Sequence, residues 1–133
     1  LVKITGIPSD EIDLYWSEAE PILKRATDRG KEFLTVDLYE YISKGKIQLW
    51  IAFDEEKIRA VCTTQIVTYP RLKVCAVLYL AGSGYKDWIM FQDYIGAWAK
   101  ENGCSHLEGY FRKGWLRVLK DWSASWTLAR KEL

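Results

Sequence analysis

Apolar residues change their period along the chain, and the changes mark the elements. Leu1 to Ile7 reads as a short edge strand stopped by Gly6 and Pro8. From Ser9 or Asp10, either able to cap a helix, Ile12, Trp16, Ala19, Leu23 and Ala26 recur at helical spacing, with Tyr15 and Ile22 widening the stripe. Gly30 is the expected C-terminal cap, and Pro21 predicts a kink or break. A second helix fits Thr35 to Lys44, capped by Thr35 and ended by Gly45, with Leu38, Tyr41 and Ile42 on its buried face.

The middle third switches to strands. Ile47 to Phe53, Ile58 to Tyr69 and Lys73 to Leu80 are β-rich, joined by charged Asp54-Glu55-Glu56-Lys57 and by Tyr69-Pro70-Arg71-Leu72. In the third strand both faces are apolar: Val74, Ala76, Leu78 and Leu80 alternate with Cys75, Val77 and Tyr79. That strand should be central and covered on both sides. After the loop Ala81 to Lys86, Asp87 is placed to cap a helix running to Asn102. Its stripe is Trp88, Phe91, Ile95, Trp98 and Ala99, and Asn102-Gly103 is its stop. Ser105 to Phe111 reads as a strand, Trp115 to Trp122 as a short helix and Trp126 to Leu133 as a last strand. The order β-α-α-β-β-β-α-β-α-β predicts an α/β (α+β) fold: a mixed, mostly antiparallel sheet with helices on both faces. The strand–helix–strand crossover near the end makes its two strands parallel.

Length and composition narrow this further. The 133 residues suit a single domain spanning 1–133, without linker, repeat or low-complexity segment. A chain of this size buries about two-thirds of its unfolded surface and needs no disulfide or metal to hold a core. Nineteen Lys and Arg against 18 Asp and Glu give a net charge of +1, which sets up no field for nucleic acid or an anionic membrane. No apolar run approaches the ~20 residues of a membrane-spanning helix. The first residues, Leu1-Val2-Lys3-Ile4, show no initiator Met and no export signal. Cys62, Cys75 and Cys104 lie in apolar stretches without a pairing pattern, so buried reduced thiols and a cytoplasmic location are expected. If the hairpin turns at Pro70-Arg71, Cys75 lies opposite Ile66 and Cys62 opposite Tyr79. The two cysteines are then roughly 13 Å apart along the sheet, beyond the ~7 Å Cα reach of a disulfide. Seven Trp among 19 aromatics imply a core of large rings, an aromatic-lined surface, or both.

Candidate chemistry concentrates at one loop. Gly82-Ser83-Gly84 leaves a central strand and enters a helix, where glycines and helix N–H groups accommodate a phosphate. His106 is the single histidine. Cys104 shares its strand face, but two ligands make no metal site, and His106 reads as structural. Arg112, Lys113, Arg117 and Lys120 cluster beside Trp115 and Trp122, a pattern suited to a phosphate or, with aromatic faces, to single-stranded nucleic acid. The near-zero net charge makes a dedicated nucleic-acid binder a poor fit. A solvated face whose Trp residues pack inward is the plainer reading.

From Ile12 to Leu133 this order of elements resembles the GNAT superfamily of acyl-CoA-dependent N-acyltransferases, and the compact size resembles the short GNAT-like proteins of tailed phages. The likeness rests on the two helices after the first strand, the meander Ile47 to Leu80, the glycine loop and the segment Gly114-Trp115 to Leu133. It implies that acetyl-CoA or another acyl-CoA binds with its pantetheine arm along Val77, Leu78, Tyr79 and Leu80. Its pyrophosphate would lie on Gly82, Ser83, Gly84, Tyr85 and Lys86, with an amine as acceptor and no metal. Two features depart from the family pattern. Tyr79 and Ala81 stand where a Gln or Arg usually precedes the glycines, leaving Lys86 as the nearby cation, and the helix from Trp115 to Trp122 has no acid Tyr. Glu40 and Glu108 are candidate bases and Tyr110 a candidate acid, and each also reads as an ordinary surface residue. Two functions therefore stay open: an N-acyltransferase, or a non-catalytic protein of the same fold that binds or assembles with protein partners, as a homo-oligomer or in a phage particle.

Overall fold

The computed structural model describes residues 1–82 and 85–133, with the side chains of all of these but Tyr85, Asp87 and Lys113. Five strands form one sheet in sequence order: β1 (Lys3–Ile7), β2 (Gln48–Phe53), β3 (Ile58–Thr68), β4 (Lys73–Ala81) and β5 (His106–Gly109). The first four are antiparallel neighbours, and β5 runs parallel to β4. Helices α1 (Trp16–Thr27) and α2 (Thr35–Ser43) cover one face through Leu23, Leu38, Ile42, Leu49, Ile51 and Val61. Helix α3 (Tyr85–Glu101) covers the other with Trp88, Phe91, Ile95 and Ala99 against Trp50, Cys62, Cys75 and Val77. This is the mixed, mostly antiparallel sheet with helices on both faces that the alternation predicts. Among the described residues no helix is long and apolar enough to cross a membrane.

The first helix does break, but at Tyr15 and not at Pro21. A 3-10 stretch over Ser9–Leu14 precedes α1, and Pro21 lies inside it. Pro21 and Ser17 are both exposed, so the Ser17 carbonyl that the proline leaves without its helical donor faces water. Neither Ser9 nor Asp10 caps the 3-10 stretch, which begins after Pro8. Thr35 does not cap α2 either: Asp37 closes that end by accepting from the Leu34 N–H at 2.8 Å, while Thr35 Oγ1 donates to Glu20 and ties α2 to α1. Left-handed glycines end two elements, Gly45 after α2 and Gly103 after α3. Gly30 is not one of them, because α1 already closes at Asp28.

The β3–β4 register holds the main surprise. Cys75 lies opposite Ile66 as the turn predicts, but Cys62 lies opposite Leu80, one place on from Tyr79. Thr64 pairs Val77 and Thr63 pairs Tyr79, so Leu78 is an extra residue in β4. The bulge breaks the alternation. Leu78 and Tyr79 both pack towards α1, and Leu80 joins Val77 and Cys75 on the α3 face.

The C-terminal quarter departs most from its pattern. The expected helix Trp115 to Trp122 is instead one 3-10 turn, Lys113–Arg117, although Trp115, Leu119 and Trp122, at the i, i+4, i+7 spacing of a helix, all pack onto the α3 face. Trp122 meets Trp88 and Phe111 at ring separations of 5.7 and 5.5 Å, and its Nε1 donates to Gln92. The expected strand Trp126 to Leu133 is exposed and unpaired coil. It heads for the α1–α2 connection, where Arg130 pairs with Glu32, so no neighbouring strand supplies a ladder.

Two stability measurements test this account. Trp122→Ala should cost about 2–3 kcal/mol in denaturant unfolding, less than a fully buried Trp because its ring is half-buried. Asp54 accepts from the N–H groups of Glu56 and Lys57 and from Arg59, and the two backbone bonds lead in lowering its pKa to about 2. A lowered carboxyl pKa stabilises above the unfolded value and loses that contribution as pH falls through the folded one. Asp54→Asn should therefore lower the melting temperature clearly at pH 6, and the gap to wild type should narrow by pH 2.5.

Candidate functional site

The bulge sets the geometry of the candidate site. Pairing between β4 and β5 runs from Val74↔His106 to Val77↔Gly109 and stops there. Beyond it β4 continues through Leu78 to Ala81, bonded to β3 on one side. Among the described residues no backbone hydrogen bond outside the sheet ladders reaches Leu78–Ala81. The outer edge of β4 is thus a short row of donors and acceptors opening beside the start of α3.

Each expected site residue has a place here. Val77 is buried towards α3 and is the last residue paired to β5. Leu78 is the bulge residue, and Tyr79 and Leu80 follow on opposite faces. Gly82 is exposed just past β4, Tyr85 opens α3, and Lys86 is exposed in its first turn. Ser83 and Gly84 lie outside the described residues.

The walls of the notch are aromatic. The Phe111 ring packs over Gly109 so closely that a Cβ there would stand 2.8 Å from it and 3.3 Å from the Val77 carbonyl oxygen. Trp88, fully buried at the start of α3, contacts Phe111 and Trp122, and Trp115 completes the group. Among the described residues the buried Trp88 Nε1–H has no acceptor. Such a donor costs about 1–3 kcal/mol if nothing accepts from it. On the other face Tyr79 packs edge-on against Phe33, with its hydroxyl near Gly30. Burial, then the Glu32 charge, pushes its pKa up, so it is a protonated phenol at neutral pH. Glu32 is held low chiefly by its bond to Arg130.

The other candidates are not gathered at this notch. Glu40 on α2 is ion-paired to Lys44 at 2.8 Å. Glu108 on β5 accepts from Tyr69 at 3.2 Å, and its charge raises the Tyr69 pKa. Tyr110 is 81% exposed. His106 is exposed with Nδ1 2.7 Å from Ser105 Oγ, and among the described residues no three His, Cys, Asp or Glu side chains come together as metal ligands. Arg112, Arg117 and Lys120 are exposed while Trp115 and Trp122 pack inward, the plainer of the two readings of that cluster; the Lys113 side chain lies outside the described residues. Sequence reasoning missed the donor on Trp88 and the Tyr79–Glu32–Arg130 grouping. The first shows no pattern in a chain with seven Trp, and the second joins residues far apart in sequence.

No protein-family model matches the chain, and a search of curated proteins gives no match. Solved structures do match. One is an aminoglycoside acetyltransferase from an uncultured soil metagenomic sample in complex with sisomicin, 13% identical over 99% of this chain and 96% of that one, with a TM-score of 0.70. Another is a ribosomal-protein-alanine N-acetyltransferase from Brucella melitensis, 12% identical over 100% and 99%, at 0.68. A third is a predicted acetyltransferase with acetyl-CoA from Clostridium acetobutylicum, 17% identical over 100% and 96%, at 0.67. The fold is that of the GNAT acetyltransferases. Within the GNAT fold of this chain, the parted β4–β5 pair and the start of α3 are the site candidate.

All three cysteines are buried, and none forms a disulfide. Burial raises the Cys62 thiol and pushes Cys75 up to about 11. Ellman's reagent should therefore find no fast-reacting thiol in the native protein and three after unfolding. One fast thiol in the folded chain would contradict the packing described.

Proposed function

We propose that the chain is an acyl-CoA-dependent N-acyltransferase of the GNAT type, acting on a small or peptidic amine. The observation that carries this reading is the end of β4–β5 pairing at Val77 and Gly109, beside the first turn of α3. The residues fit such a cofactor: Leu78–Ala81 offer a backbone edge for an amide-bearing arm, the first amides of α3 and exposed Lys86 suit a pyrophosphate, and the orphan Trp88 Nε1–H suits a carbonyl oxygen. Bound there, acyl-CoA supplies a thioester electrophile. In holding it, Leu78–Ala81 would bind the arm, the Phe111–Trp88–Trp122 wall would keep water off the thioester, and the Trp88 Nε1–H would offer a donor to developing negative charge. Tyr79, protonated at neutral pH, is the phenol that follows the bulge residue Leu78, on the α1 face.

A second reading, a protein of the same fold that binds or assembles without catalysis, for instance in a phage particle, is favoured by one observation. Glu40 and Glu108 are engaged with Lys44 and Tyr69, so neither supplies a base in the notch.

Acetyl-CoA should raise the thermal midpoint, with about 2.7 kcal/mol of stabilisation at 100 times its dissociation constant. Lys86→Glu should weaken binding about fivefold at low ionic strength and less at high salt. No shift at millimolar cofactor overturns the transferase reading. Because the native thiols are buried, release of CoA can be followed directly: turnover with an amine panel supports the first reading, and binding without turnover supports the second.

A further inference from the structure

A second concavity lies on the α3 face at the far side of the sheet, where α3 ends over β1 and β2. It is a groove of about 560 Å³, within the ~300–1,000 Å³ range of small-molecule sites. Its floor is Trp50, 3% exposed. Gly6, the cross-strand partner of Trp50, lets that ring come close: a Cβ on Gly6 would stand 3.1 Å from it. The last two turns of α3 form the wall, with Tyr94 and Trp98 nearly perpendicular to Trp50 at 77° and 75° and centroid separations of 5.9 and 5.1 Å. In a perpendicular pair one ring presents its edge and keeps its faces unpartnered, and Tyr94 is 48% exposed.

The polar groups of the groove have a definite sense. Trp50 Nε1 donates to Thr64 Oγ1 at 2.8 Å, and Thr64 Oγ1 donates to Gln48 Oε1 at 3.0 Å. This relay fixes the Gln48 amide at the groove with its carbonyl occupied, which leaves the NH₂ as the group to offer. Glu101, at the end of α3, is the one charged side chain among the described residues of the lining. The negative end of the α3 dipole lies beside it, although the Trp98, Ala99 and Lys100 carbonyls there already accept from Asn102, Cys104 and Gly103. An aromatic floor and wall with one carboxylate and, among the described lining residues, no cation together select a positively charged guest.

We propose that this groove is a binding site for a small organic cation, an alkylammonium or quaternary ammonium group held over Tyr94 and Trp98 and paired with Glu101. Gln48 NH₂ serves an acceptor on the same ligand. The site lies over β1 and β2, apart from the β4–β5 notch, and does not depend on the acyltransferase reading.

Choline is the probe, and 3,3-dimethylbutan-1-ol, its uncharged carbon isostere, is the control. Each is titrated into ¹⁵N-labelled protein while the indole N–H signals of Trp50 and Trp98 are followed. Choline should shift them saturably in the millimolar range or below, and the alcohol should bind at least about fivefold more weakly. Glu101→Gln should weaken choline about fivefold. Ala97→Arg, at an exposed helical position on the groove rim, should abolish binding by supplying a tethered cation, while leaving the acetyl-CoA thermal shift intact. The proposal fails if no saturable shift appears, if the alcohol matches choline, or if Glu101→Gln leaves the choline affinity unchanged.

Discussion

One extra residue in β4 controls the arrangement of this molecule. A regular antiparallel pair would keep Leu78 and Leu80 on the same face and let β4 run flat alongside β5. With Leu78 unpaired, the strand twists, Leu80 moves to the α3 face, and parallel pairing ends at the residue just before the bulge. Strand bulges bend and twist the chain that carries them. The cost is a row of backbone groups that the sheet no longer satisfies, and a backbone donor without a partner is tolerated only where water or a ligand reaches it. Leu78, Tyr79 and Leu80 are half-buried, which meets that condition.

The bulge leaves β5 weakly held, since four residues of parallel ladder are a small interface. Aromatic packing makes up the difference. Phe111 sits directly over Gly109, Trp115 packs against Phe111, and Trp122 closes over Phe111 and Trp88. Much of the unusual tryptophan content is spent here and at the Trp50–Trp98 contact, where large rings with few rotatable bonds fill wide gaps at low entropic cost. Trp16 packs instead against Tyr39 on the α1–α2 face, and Trp126 is 94% exposed.

What could be read from the chain follows the range of the interactions involved. The helices α1, α2 and α3, the meander and the parallel crossover each rest on local periodicity and are present, whereas the expected helix Trp115 to Trp122 is not. Cys75 opposite Ile66 follows from the turn alone, whereas Cys62 opposite Leu80 needs the bulge, which the alternating apolar residues of β4 do not reveal. Pro21 looks like a break because its chemistry is local, yet exposure of Ser17 and Pro21 makes the lost bond cheap, and the break falls at Tyr15. Trp126 to Leu133 has strand-like residues but no partner strand, and a strand is a property of two segments. The glycine loop was legible because such a loop after an apolar strand has a local signature, though its Ser83 and Gly84 lie outside the described residues. The Tyr94–Trp98–Glu101 wall was not, because Trp98 reads only as core until β1 and β2 are placed opposite it.

Helix α3 links the two candidate sites electrostatically. Its dipole favours acids in the first turn and bases in the last, each by about 0.3–1 kcal/mol at exposed positions. Asp87 and Lys100 follow that preference. Lys86 and Glu101 oppose it, a cation at the positive end and a carboxylate at the negative end. Exposed charges placed against a helix dipole stabilise nothing in the fold, so the small cost they carry needs another return. Lys86 is exposed in the first turn of α3, at the positive end of the dipole, where an anion would be attracted. Glu101 borders the aromatic groove at the negative end, where the same holds for a cation. Each opposing charge thus strengthens the field its end of the helix already projects, so that one helix presents anion-seeking and cation-seeking ends to two separate openings on the same sheet.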